Sequence, residues 1–261
     1  MEDTYSLFRR DPHLKIFYFI GRLNPPHEGH IRALIQMIER ANAENSVALI
    51  LIGSGPKGER TMDNPVTFET KCEFLKYIIP PHLKYSLRPL RNPISDVEQW
   101  FHNVLTHIES PTQVSFIRFA GDKGDNATKF KHVDSHFKLL HSKAESTTVA
   151  LPPVMASASK EMSATIVRKD AYKALLKAGP EGGYHIFREI YGGFYKEFTG
   201  QIYREIIEVV QELSPADIAT YIETTKLPKK SKSKTASASK SSKPKTRKKR
   251  SSSSSSGSNT E

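Results

Sequence analysis

The sequence predicts an α/β fold: a doubly wound, Rossmann-like parallel sheet, followed by a helical C-terminal extension and a disordered basic tail. Three observations lead there. Short apolar runs rich in β-branched and aromatic residues alternate with longer stretches of helical period, the pattern of strands and helices wound into one parallel sheet. Glycine closes the first, second and fourth of these runs, at Gly21, Gly53 and Gly121, where the chain must turn away from a strand. Composition then changes at residue 227: residues 227–261 hold eleven Lys or Arg and one acid, so +10 of the chain's +11 lies there. That segment contains six consecutive serines and lacks the apolar surface needed to fold.

Taken in order, Ile16–Ile20 is a continuous apolar run and reads as a buried parallel strand. Gly29–Ala43 follows as a helix with Ile31, Leu34, Ile35 and Ile38 on one face. Val47–Ile52 is a second buried strand. Thr67–Ile79 is an amphipathic helix with Phe68, Cys72, Leu75 and Ile79 inward, stopped by Pro80 and Pro81. Tyr85–Leu90 reads as a third strand, Val97–Ile108 as a third helix, Val114–Ala120 as a fourth strand and Thr147–Leu151 as a fifth. From Ala164 a helix runs to about Lys177, and the glycines and proline of residues 179–183 break it. Residues 184–224 look helical throughout, with Ser214 and Pro215 opening the last helix. The expected organisation is a core of residues 1–178, a helical extension over 179–226 and the tail over 227–261.

Several function classes drop out. The charge sits in the tail and residues 1–226 are nearly neutral, so the fold itself is not a basic nucleic-acid platform. Cys72 is the only cysteine, which rules out an internal disulfide or a cysteine metal cluster and fits a reducing compartment, cytoplasmic or nuclear. No apolar run approaches the roughly 20 residues of a membrane helix, and residues 1–15 do not read as a secretory signal. A soluble protein with no membrane partner is the expectation.

Two segments carry chemistry. The first strand ends in Gly21-Arg22-Leu23-Asn24-Pro25-Pro26-His27-Glu28-Gly29-His30, at the strand end where open α/β sheets bind ligands. Histidines three apart share a helix face, and the free N–H groups of a helix start attract phosphate. A bare His-x-x-His would be two surface histidines; with Gly, Arg and Pro all in place, the turn reads as a site. The second segment, Met162-Ser163-Ala164-Thr165-Ile166-Val167-Arg168, opens the helix that runs to Lys177. Its hydroxyls can cap N–H groups or meet a phosphate, and Arg168 adds a charge one turn on. Taken alone, that heptad supports capping and phosphate contact equally.

Together these segments resemble the HxGH nucleotidyltransferase superfamily, whose first signature reads approximately Gly-Arg-Phe-x-Pro-x-His-x-Gly-His and whose second reads Ile-Ser-x-Thr-x-x-Arg. Leu23 stands where the family has Phe. The resemblance implies catalytic roles for His27, His30 and Arg168, and ATP contacts from Gly21, Arg22, His27, His30, Ser163, Thr165 and Arg168. Further stretches resemble archaeal-type and Nudix-associated nicotinamide mononucleotide adenylyltransferases: Gly53-Ser54 with Arg60 to Phe68, Pro93 to Asp96 followed by Trp100, and Ala120 to Lys123. That branch implies acceptor contacts from Asn64, Trp100 and Asp122. Trp100 is the only tryptophan and reads either as a core residue or as the platform for the nicotinamide ring. Asp122 or Asp125 can reach a ribose or order the loop. The branch's Gly-Ser-Ala-Gln is Gly-Ser-Gly-Pro here. The resemblance covers about residues 15–175.

The implied reaction moves AMP from ATP to nicotinamide mononucleotide, giving NAD and pyrophosphate, with Mg²⁺ arriving on the ATP and a homo-oligomer as the expected assembly. The alternatives are adenylyl or cytidylyl transfer to another phosphorylated acceptor, or a non-catalytic, basic-tailed protein that binds nucleotides or nucleic acid. Lys243–Arg250 reads as a nuclear-targeting or nucleic-acid patch, with solubilisation as the plainer role.

Overall fold

A computed structural model describes residues 13–53, 59–90, 99, 113–121, 144–151, 155–157 and 160–225. Of the helix expected over 97–108 only Gln99 is described, and it is helical; the loop residues Ser54, Trp100, Asp122 and Asp125 and the basic tail lie outside the described residues. The chain divides into two units, Met1–Lys230 and Ser231–Glu261, and the described residues all belong to the first.

Five strands form the sheet: β1 (His13–Gly21), β2 (Val47–Gly53), β3 (Ser86–Leu90), β4 (Gln113–Gly121) and β5 (Ala144–Leu151). Their spatial order is β3-β2-β1-β4-β5, and every neighbouring pair is parallel. β1 is central, so the turn after it opens at the middle of the sheet's carboxyl edge. The apolar runs are continuous because both faces are buried. Phe17, Phe19, Ala48, Ile50, Ile52 and Phe119 enter the main core, while Ile16, Tyr18, Leu49, Leu51, Val114 and Phe116 alternate with them and are buried too. Burying one such large side chain stabilises the fold by about 1.5–3 kcal/mol.

Helix α1 (Glu28–Ala43) buries Ile31, Leu34, Met37, Ile38 and Ala41, a stripe of 3.6 period laid on β1, β2 and β4. Helix α2 (Phe68–Ile78) is capped by Thr67, whose hydroxyl accepts from the Thr70 N–H at 3.2 Å. Its buried face is wider than expected: Leu75 and Ile79 are buried as anticipated, and further residues join them. Thr70, Lys71, Phe74 and Leu75 point inward, and Phe68 and Cys72 are only half-buried. A polar triad of Thr70, Gln201 and Glu205 draws that face toward the C-terminal helices. A short antiparallel pair, β6 (Met155–Ser157) with β7 (Lys160–Glu161), was not anticipated; segments of three and two residues are too short to show a period.

Helix α3 (Ala164–Tyr195) contains the expected break, at Gly179, whose φ of 69° is a backbone angle that glycine adopts without strain. Four residues on, Gly183 is fixed by contact rather than by φ. A Cβ there would lie 2.3 Å from the Tyr203 hydroxyl and 2.9 Å from the Ala174 carbonyl oxygen. A 3-10 turn over Lys196–Phe198, helix α4 (Thr199–Glu208) and helix α5 (Pro215–Thr224) complete the unit. These helices are not an appendage: Phe187, Tyr191, Tyr195, Ile202 and Ile206 belong to the same core cluster as β1 and β2. The ring of Phe74 on α2 meets Phe194, Tyr195 and Phe198 at 5.5–5.7 Å, within the range of favourable aromatic pairs. Among the described residues no helix is long and apolar enough to cross a membrane.

Candidate functional site

The turn after β1 is built from buried backbone. Arg22 is exposed, and Leu23 to His27 are all buried. Leu23 holds φ at 48°, a left-handed angle that costs a branched residue energy and is kept only where surroundings enforce it. Its side chain, 1% exposed, supplies that enforcement by packing into the core.

His27 occupies the N-cap of α1 in an extended conformation, and its carbonyl accepts from the N–H groups of His30 at 2.8 Å and Ile31 at 3.1 Å. In return, the His27 N–H donates to Nδ1 of His30 at 3.3 Å. That bond makes Nδ1 an acceptor, so in the neutral ring the proton sits on Nε2. The two rings lie 3.6 Å apart at 33°, with Phe19 edge-on to His30 at 6.2 Å. The sequence therefore presents two imidazoles and the open end of α1 at one place.

Asn24 is the hub that the sequence did not reveal. Its side chain donates to the Asn64 side-chain oxygen and to the Val66 carbonyl and accepts from the Val66 N–H at 2.8 Å. The loop of residues 61–66 is thereby held against the first motif. Asn64, expected as an acceptor contact, is 7% exposed, and its amide faces inward to Asn24 and the Glu59 carbonyl. Its place in the structure is that of a clamp.

Arg168 joins the second motif to the first. Its guanidinium donates to the Asn24 carbonyl at 2.6 Å, to the Asp63 carboxylate at 2.9 Å and to the Thr165 hydroxyl at 3.4 Å. Only 4% of its side chain is exposed, whereas Asp63 is 56% exposed. Ser163, expected as an ATP contact, caps α3 and accepts from the Ile166 N–H at 3.3 Å. The two predicted segments meet through one residue: Gly21 ends β1 and Arg22, His27 and His30 follow it, and from the start of α3, where Ser163 caps the helix and Thr165 accepts from Arg168, Arg168 reaches the turn at the Asn24 carbonyl. Trp100 and Asp122 lie outside the described residues.

The C-terminal helices brace this arrangement. The Tyr195 hydroxyl donates to the Pro26 carbonyl at 2.6 Å. Tyr172 and Tyr221 both reach the Met62 carbonyl, and Tyr221 also donates to Asp63 at 2.6 Å. Burial pushes the hydroxyl pKa values of Tyr172 and Tyr195 well up, so both remain neutral donors at neutral pH. Arg60 ties the same loop to α4 through the Glu205 carbonyl and the Glu208 carboxylate.

One further cation stands at this edge. Lys71 is 1% exposed, and its Nζ lies 3.5 Å from the Gly53 carbonyl. Burial pulls its pKa down to about 8, Glu205 opposes that shift, and Arg22 adds to it. The signal was present in the sequence: Lys71 falls on the same stripe as Phe74 and Leu75, where an apolar residue belongs. Among the described residues no group of three or more His, Cys, Asp or Glu can hold a metal ion.

No family model matches the chain, and no curated protein matches it. Among solved structures it is similar to a macrolide-efflux protein from Streptococcus pneumoniae, with 10% identity and a TM-score of 0.37, covering 67% of this chain and 61% of that one. The chain spans about three-fifths of that protein's length, and a likeness at this level carries no argument about activity.

Proposed function

We propose that the protein is an adenylyltransferase that joins nicotinamide mononucleotide to the AMP of MgATP, forming NAD and pyrophosphate. The supporting observation is that Arg168, one turn into α3, donates to the Asn24 carbonyl at 2.6 Å, which ties the helix start of Ser163 and Thr165 to the turn that carries His27 and His30 at the start of α1. Helix starts and cations fit a triphosphate.

The acceptor's phosphate is already nucleophilic at neutral pH, so the reaction requires no protein nucleophile or general base. A phosphate oxygen attacks the α-phosphorus of ATP and the bond to the bridging oxygen breaks. Pyrophosphate leaves with that bond's electron pair. What remains for the protein is positioning and charge stabilisation. His30, with Nδ1 accepting from the His27 N–H, presents Nε2–H as a donor to developing negative charge. Arg168 shapes the turn through Asn24 and carries positive charge beside it. Magnesium enters as part of the nucleotide, since it prefers phosphate oxygens and water to a full protein cage.

The test is incubation with MgATP and a panel of phosphorylated acceptors, followed by detection of dinucleotide and pyrophosphate. NAD from nicotinamide mononucleotide is the expected product. Turnover of another acceptor alone would reassign the substrate, and no turnover of any acceptor would sink the reading.

A further inference from the structure

Lys71 occupies a core position in α2, and no described carboxylate is bonded to its ammonium. It is 1% exposed, and among the described residues its Nζ makes one hydrogen bond, the long 3.5 Å contact to the Gly53 carbonyl. Glu205 opposes the effect of burial on that charge more than any other group but is committed elsewhere. Its carboxylate accepts from the Thr67 N–H at 2.7 Å and from the hydroxyls of Thr67 and Thr70. A buried ammonium without a bonded anion is costly, and lysine is seldom found fully buried unless paired.

A second cation stands at the same place. Arg22 follows β1 as Gly53 ends β2, and a Cβ on Gly53 would lie 3.4 Å from the Arg22 Cγ. Arg22 is exposed, and its charge is felt at Lys71. The first and second strands thus end beside two cations with no carboxylate bonded to either among the described residues. Groups held at a cost to the fold in this manner mark ligand sites.

We propose that Lys71, together with Arg22, holds the phosphate monoester of the acceptor nucleotide at the carboxyl end of β2. The naming of that phosphate as the acceptor's rests on the transfer reaction proposed above; the anion site itself rests on the burial of Lys71 and the company of Arg22. The buried ammonium supplies one fixed point charge, and the exposed guanidinium closes on the outer oxygens. Lys71 then acts as a binding residue for the acceptor and leaves the ATP contacts alone.

The experiment uses the full-length chain, its Lys71→Met variant, which keeps bulk and removes charge, and Lys71→Arg, which keeps charge. Binding of nicotinamide mononucleotide, of inorganic phosphate and of phosphate-free nicotinamide riboside is measured by calorimetry, alongside melting temperature and NAD synthesis. Lys71→Met should weaken mononucleotide and phosphate binding on the order of tenfold or more. It should leave riboside binding and the KM for ATP unchanged and melt no lower than the parent. Lys71→Arg should recover part of the phosphate binding. Unchanged phosphate and mononucleotide binding in Lys71→Met overturns the proposal, as does a parent chain that binds neither ligand. A lower melting temperature in Lys71→Met that Lys71→Arg restores also overturns it, because the lysine is then a structural cation. Phosphate binding lost in Lys71→Met when the parent makes no NAD refutes the transferase reading and leaves the anion site standing. Normal NAD synthesis with an unchanged acceptor KM in Lys71→Met does the reverse.

Discussion

Arg168 and Lys71 are cations buried beside the carboxyl end of one sheet, 3% and 1% exposed, and the fold holds them in opposite ways. Arg168 spends its guanidinium on a carbonyl, a carboxylate and a hydroxyl drawn from three segments. Lys71 has one long contact to a carbonyl among the described residues. A planar guanidinium offers donors in several directions and suits a crosslink; an ammonium is a compact charge that suits a single anion. The contrast separates a region where polar groups hold the turn in shape from one where a buried charge has no bonded anion among the described residues.

The largest expected effect breaks the satisfied side. Arg168→Ala removes the link between the motifs and leaves the Asn24 carbonyl without its donor, so the unfolding free energy should fall by about 2–4 kcal/mol. Asp63, half exposed, regains water and keeps the loss below the upper end. Urea unfolding checks this, and a change under about 0.5 kcal/mol, the scatter of ordinary surface substitutions, would show that the link carries no load.

Lys71→Met sharpens the other side. The folded pKa of Lys71, about 8, lies below the ordinary 10.5, so the unfolded chain binds more protons between those values and stability rises with pH across that window. Below pH 8 the buried charge costs the fold its full amount, at most about 3 kcal/mol. In phosphate-free buffer at pH 7, Lys71→Met should therefore be the more stable protein by up to that amount. Its advantage should shrink as pH climbs from 8 toward 10. A gap that ignores pH would mean that burial does not lower the pKa of Lys71.

The smallest effect compares two tyrosines of the aromatic core. The Tyr195 hydroxyl donates to the Pro26 carbonyl, whereas the buried Tyr203 hydroxyl has no partner among the described residues. Tyr195→Phe should cost about 1 kcal/mol, and Tyr203→Phe should be neutral or stabilising. Equal losses would mean that hydroxyl satisfaction is not what distinguishes the two positions.

The centre of the sheet was legible in the sequence because β1, β2 and β4 read as apolar runs ended by Gly21, Gly53 and Gly121, while the edge strands β3 and β5 are more polar and more exposed. The helix break was legible at Gly179, and the start of α3 was legible from its hydroxyl-bearing cap, Ser163. The inward face of α2 was legible at Leu75 and Ile79 but not at Thr70, which Glu205 and Gln201 of α4 hold inward from more than 130 residues away in sequence. The histidines and Arg168 were visible as motif residues, but Arg168's bonds to Asn24 and Asp63 depend on a long-range meeting that no local pattern encodes. For the same reason the bond between the Asn24 and Asn64 side chains was not legible. Lys71 was the one missed residue whose signal was local, a charge on an apolar stripe.

The central claim is that His30 stabilises charge that develops during transfer of AMP to nicotinamide mononucleotide. Steady-state NAD synthesis by the parent chain and by His30→Ala, with MgATP and the mononucleotide varied in turn, tests it most directly. The account predicts NAD formation by the parent, a kcat on the order of 10²–10³ lower in the variant and a KM for ATP nearly unchanged. A parent chain that forms no NAD, or a variant that keeps the parent's kcat, would contradict it.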